Sequence, residues 1–212
     1  MSRSYPAQCS RPSRHGVRTI AAFRSLGDAR RGRTRRYPAV VDVGGWVGLD
    51  WEAGKVLWSD FAERFRFRAG TTSKDWPAIA EPAPSVVWDL SAIYSGTCPG
   101  GFLAGVQVVA GLVLGTLQDC TDRFETVAFH DWVHPSALFR PNSVDAPSEV
   151  PGWDTGGLFP NGDYTIFVGR DHAFGIVGHP WEQSLCVFGD RAVDAFAARN
   201  HGALEKVLRQ RG

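Results

Sequence analysis

Residues 159–190, FPNGDYTIFVGRDHAFGIVGHPWEQSLCVFGD, limit the possible folds of this chain more than any other stretch. They contain three short apolar runs, Tyr164–Val168, Ala173–Val177 and Ser184–Phe188, rich in β-branched and aromatic side chains. Runs of that length bounded by turn residues predict strands. Gly169-Arg170-Asp171 supplies a first hairpin turn and Gly178–Glu182 a longer second elbow, while Pro160-Asn161-Gly162-Asp163 turns the chain into the first strand. Connections this short join only antiparallel neighbours, so the stretch reads as a three-strand meander.

The segments before and after it must cover that sheet. Trp58, Phe61 and Phe65 recur at i, i+3 and i+7, the apolar stripe of a helix whose Arg64 and Arg66 turn away. Gly44, Gly45 and Gly54 read as breakers before it. Pro77, Pro82 and Pro84 hold Trp76–Ser91 extended, and Ser85–Leu90 then alternates as a strand. No charge occurs from Gly100 to Gln118. That run is near the lower limit of a bilayer span but contains Gln107 and repeated glycines, so a helix buried beneath the sheet is the expectation. Arg123–Val133 is extended, and Asn142–Gly157 is a Pro/Ser/Asp/Gly loop. Asp190 can cap a helix running toward Arg209, interrupted at Asn200-His201-Gly202. The expected fold is one α+β domain over residues 40–212, a mainly antiparallel sheet with a C-terminal three-strand meander and packed helices.

Charge separates this body from residues 1–39. That segment holds ten Arg against one acid, Asp28, for a net +9, and has no hydrophobic period, so a disordered basic tail is expected. Met1 is the only methionine, which also allows an over-long gene start. Residues 40–212 hold 13 bases against 21 acids, net −8, which suits a basic protein partner. Cys9, Cys98, Cys120 and Cys186 are scattered without a CxxC pair, the pattern of reduced thiols in a cytoplasmic protein. Arg18 and Arg24 interrupt the only early apolar run, so no secretory signal is read.

Four blocks resemble the bacterial family catalogued as domain of unknown function 2716. They are the W-x-x-F-x-x-x-F helix of Trp58–Phe65, WPAIAEPAPSVVWDLS, the DWVH of Asp131–His134, and PNGDYTIF…FGIVGHPWEQSLCVFG. Together they span about Val43–Arg191, and the GHPWEQ run is unusual enough in composition to be specific. The resemblance implies a bacterial single-domain protein and carries no catalytic role, cofactor or substrate.

Candidate site residues follow from side-chain chemistry. In the Gly178–Gln183 elbow, His179 and Glu182 could form an oriented base, the carboxylate fixing the tautomer and raising the imidazole pKa. Asp163 follows a turn glycine, and His134 joins the set through the resemblance. His130 and His134 have zincin spacing with Asp131 in place of Glu, but four residues of strand span about 13 Å, too far for one shared ion. No nucleophile elbow, phosphate loop, dinucleotide fingerprint or zinc-ligand spacing occurs, so neither cofactor nor metal is expected. The leading expectation is a non-catalytic cytoplasmic interaction module, with an immunity-like role among its forms and no membrane partner. The alternative is a small enzyme using His179 and Glu182, with Asp163 or His134, as acid/base or metal-binding groups. A weaker alternative is nucleic-acid binding through the Arg-rich tail.

Overall fold

Residues 44–150 and 157–212 are described by a computed structural model. The expected disordered tail, its nucleic-acid reading and the centre of the 142–157 loop lie outside the described residues. In chain order the elements are β1 (Trp46–Val47), α1 (Trp51–Arg64), β2 (Ser85–Asp89), α2 (Ser91–Tyr94), α3 (Gly101–Cys120), β3 (Val127–His130), β4 (Ala137–Phe139), β5 (Thr165–Gly169), β6 (Gly175–His179), β7 (Ser184–Phe188), α4 (Asp190–Asn200) and β8 (Val207–Arg211). Among the described residues the strands form one eight-stranded sheet of order β1-β4-β3-β5-β6-β7-β2-β8, antiparallel at every pairing. The fold is α+β, as expected, and the C-terminal meander is its centre.

Every residue of β5, β6 and β7 is buried, which is why these strands read as continuous apolar runs rather than alternating ones. The period of two still sorts them. Phe167, Ile176 and Val187 lie opposite one another across the three strands, as do Ile166, Val177 and Cys186 one position along. The first set meets α3 and α4 in one apolar cluster. The second meets Phe61 and Phe65 of α1 in another. The sheet is therefore the middle layer of three.

The uncharged helix α3 is by length and composition able to cross a membrane. Here Val109, Ala110, Val113 and Leu117 are inaccessible to solvent and face the sheet and α4. Gly115 lets α4 approach: a Cβ there would stand 2.5 Å from Nη1 of Arg199, whose guanidinium crosses α3 to make 2.6 and 2.9 Å bonds with Asp119. Gly175 answers a similar need inside the meander, where a Cβ would lie 2.7 Å from the Phe167 carbonyl oxygen and 2.5 Å from the Phe188 ring. Gly175→Ala is therefore expected to cost about 1–3 kcal/mol through overpacking, read from urea denaturation. Wild-type stability in that variant would refute the close-packing account.

Three expectations need correction. Helix α1 begins at Trp51, not near Leu57, because Asp50 caps it by accepting the Ala53 amide at 2.8 Å. Gly54 is thus a buried helical residue rather than a breaker. A Cβ on it would come within 3.3 Å of the Ser136 carbonyl oxygen, so the loop after β3 rests on α1 there. The C-terminal helix does not continue beyond Asn200. His201 takes a left-handed backbone conformation, and the Asn200 side chain closes the turn by bonding both the amide and the carbonyl of Leu204. The chain then returns as strand β8 beside β2. The short strands β1 and β4 also come from segments not predicted as strands.

Candidate functional site

Antiparallel order decides what meets at each end of the sheet. His130 at the end of β3 pairs with Ile166, Thr165 at the start of β5 pairs with Gly178, and His179 at the end of β6 pairs with Ser184 at the start of β7. One rim therefore gathers the Asp131–His134 segment, Asp163 with Tyr164, and the 179–184 elbow. Segments separated by up to about 50 positions in the sequence become neighbours there, and all four candidate residues lie at this rim.

His179 and Glu182 do not pair as expected. The amide of Glu182 donates to Nδ1 of His179 at 3.1 Å, which fixes the proton on Nε2, 3.4 Å from the Tyr164 hydroxyl. Aromatic edges of Trp76, Tyr164 and Trp181 enclose the ring. Burial, with the Arg209 charge behind it, lowers the imidazole pKa to about 4, outweighing the opposing pull of Glu182. Spacing along the chain predicts a raised value; desolvation reverses it. The Glu182 carboxylate is directed elsewhere. It accepts Arg209 at 2.5 and 3.0 Å and Ser184 at 2.8 Å. Burial alone would raise its pKa, but these partners hold it below the usual range. Arg209 also bonds Glu81 at 2.8 Å. The two carboxylates and the guanidinium form one part-buried network, with Arg211 3.5 Å from Glu81 at its margin.

Asp163 and His134 meet through Asp131, a residue outside the four site candidates. Oδ1 of Asp131 accepts the amides of Val133 and His134 at 3.0 and 2.5 Å, and Oδ2 bonds His134 Nδ1 at 2.7 Å. Oδ1 of Asp163 accepts the amides of Tyr164 at 2.7 Å and Trp132 at 3.3 Å. Its Oδ2 is shut off from solvent and has no hydrogen-bond partner among the described residues. Burial and then the nearby Asp131 charge raise the Asp163 pKa against the pull of the two amides. One ligand atom from each of Asp131, His134 and Asp163 lies within 4.8 Å of the other two. The absence of zinc-ligand spacing therefore did not exclude a metal-capable group, because the fold assembles one from separate segments. His130 takes no part: its Nδ1 bonds Ser136 at 2.7 Å and its ring lies against Phe61 and Trp58.

Trp132 joins the two halves of the rim. Its ring meets Tyr164 and Trp181 edge-on, yet 51% of the residue is exposed. Beside it Val133 is 72% exposed and Trp51, on α1, is 58% exposed. Trp51, Gly54, Lys55 and Trp58 on one side, and residues 131–136 on the other, line a groove of about 190 Å³. Asp131, Trp132 and Arg209 were not selected from sequence. The DWVH block held the first two, and an Asp two or three residues before amides that need an acceptor was the available signal. Nothing local marked Arg209.

The family model described as protein of unknown function DUF2716 matches residues 49–193, more than half of the chain, which includes the whole rim but neither Arg209 nor Arg211. A curated relative, the uncharacterized protein YxiI of Bacillus subtilis strain 168, is 26% identical over 151 residues, covering 71% of this chain and 91% of the relative. No solved structure matches the chain.

Proposed function

We propose that this chain, which belongs to the DUF2716 family of proteins of unknown function, is a non-catalytic cytoplasmic binding module whose contact surface is the groove between α1 and the loop after β3. The observation that carries this reading is the contrast at the rim. His179 and Glu182 are enclosed and bonded to structural partners, whereas Trp51, Trp132 and Val133 expose apolar surface side by side. A part-exposed tryptophan held by neighbouring rings is the type of residue that dominates protein interfaces, since it loses little rotamer freedom on binding. The net −8 of residues 40–212 favours a basic partner by attracting it and orienting the encounter. Free buried thiols at Cys120 and Cys186 suit a reducing compartment.

Trp132→Ala tests the reading. Affinity purification of the full-length protein from its bacterium at low salt should recover a basic protein in stoichiometric amount. The substitution should weaken that complex about 30-fold or more, as for a hot-spot residue, with the melting temperature little changed. Retention of the partner by Trp132→Ala would remove the groove from the interface. Substrate turnover lost in folded Glu182→Gln protein would instead favour an enzyme.

A further inference from the structure

We propose that Asp131, His134 and Asp163 form a binding site for a single divalent transition-metal ion, zinc or manganese. The donor set is two carboxylates and one imidazole, the oxygen and nitrogen ligands such ions take in the absence of thiolate. Its geometry is close to what an ion requires. The three donor atoms lie within 4.8 Å of one another, and Asp131 Oδ2 and His134 Nδ1 are already 2.7 Å apart. Metal–ligand bonds of about 2.0–2.2 Å in a tetrahedral site place donors about 3.3 Å apart, so small side-chain rotations suffice.

A second observation is independent of the clustering. Asp163 Oδ2 is inaccessible to solvent and, among the described residues, unpartnered, although Oδ1 of the same carboxylate takes two backbone amides. A buried carboxylate oxygen without a donor costs free energy, and proteins rarely leave one in that state. A cation held between it, Asp131 and His134 supplies the missing partner and offsets the repulsion between two neighbouring carboxylates.

The surrounding structure supports ligand placement. Backbone amides of Tyr164 and Trp132 hold Asp163 through Oδ1, and those of Val133 and His134 hold Asp131 through Oδ1. Asp163 therefore has Oδ2 left for the ion, and on Asp131 an ion would take the place of the proton shared between Oδ2 and His134 Nδ1, both carboxylates being oriented by backbone amides. His134 has a side chain 72% exposed and borders the open groove, which gives an ion its route in and leaves coordination positions for water or a partner's side chain. The inference does not depend on the protein partner proposed above: the site stands if the groove binds nothing, and the groove stands if no ion binds.

The test is calorimetric titration of untagged full-length protein, stripped with chelator, using zinc and manganese chlorides separately. One ion per chain is expected for at least one metal, together with a rise in melting temperature at saturation. His134→Ala, an exposed change that should leave folding intact, is expected to weaken binding at least tenfold. Asp163→Asn should do the same while keeping an oxygen for the two amides. Asp60→Asn serves as control, since it removes a carboxylate paired with a different histidine, 3.3 Å from His172, and should leave the titration unchanged. Failure of the wild type to bind either metal would overturn the proposal. So would wild-type affinity in folded His134→Ala, or loss of binding in Asp60→Asn alone.

Discussion

Acidification from pH 7 to pH 4 is expected to remove about 3 kcal/mol of stability through His130 alone, with a smaller further loss through His179. Both imidazoles are buried and their pKa values are lowered to about 4, His130 by burial and then by the charge of His172, His179 by burial and then by Arg209. An unfolded histidine titrates near 6.5. Between about pH 6.5 and 4 the unfolded chain therefore binds protons that the folded chain does not, and stability falls as the pH falls. Above the unfolded value the contribution is complete. The carboxylates act in a lower window. Asp89, Asp119 and Glu182 have lowered pKa values held by Lys206, Arg199 and Arg209 respectively, and their contribution disappears only as pH drops through the carboxylate range. Urea denaturation at half-unit pH intervals separates the two windows, and NMR should show both imidazoles neutral at pH 5.5. Stability that is flat from pH 7 to pH 5 would mean that neither ring is kept neutral by the fold.

What was legible in the chain is what period and turn chemistry encode. The meander strands fall within two residues of their predicted bounds because glycine-rich turns delimit them and both faces are buried. The register of Val87 and Trp88, one facing each cluster, followed from simple alternation. Strand β8 was not legible. Val207 is 41% exposed and two arginines occupy the five residues, so neither composition nor pattern distinguishes it from the end of a helix. Edge strands are charged and short for their own reasons, which removes the signal a central strand gives. The site divides in the same way. Asp163, His134, His179 and Glu182 were identifiable by type and by neighbouring turn residues, but their grouping was not. Sequence adjacency suggested His179 with Glu182, whereas tertiary placement gives Glu182 to Arg209, 27 positions away, and Asp163 to Trp132, 31 positions away. A side chain bonds whatever the fold brings within reach, and the order of strands in the sheet settles that, not spacing along the chain.

The network around Arg209 gives the second large expected effect: Arg209→Met should lower stability by about 3–5 kcal/mol at pH 7. The Glu81 side chain is 1% exposed and that of Glu182 is 6% exposed. Removing the guanidinium leaves both as buried carboxylates, with Arg211 at 3.5 Å from Glu81 and the Ser184 hydroxyl on Glu182 in partial compensation. Most of the loss is the desolvation cost of charges left unpaired, not the value of the pairs themselves, because burying an ion pair returns little beyond its own dehydration. Two consequences distinguish this from a simple packing defect. The triple variant Glu81→Gln, Glu182→Gln, Arg209→Met should recover most of the stability, since it removes the stranded charges together with their partner. In Arg209→Met itself the deficit relative to wild type should shrink as pH is lowered toward 4.5: Glu182, no longer held below the usual carboxylate range by Arg209, takes up a proton there and the penalty declines. Parallel urea titrations of the three proteins at pH 7 and pH 4.5 measure both. A deficit that persists in the triple variant and is independent of pH would assign the loss to the packing of the arginine stem against its neighbours and not to its charge.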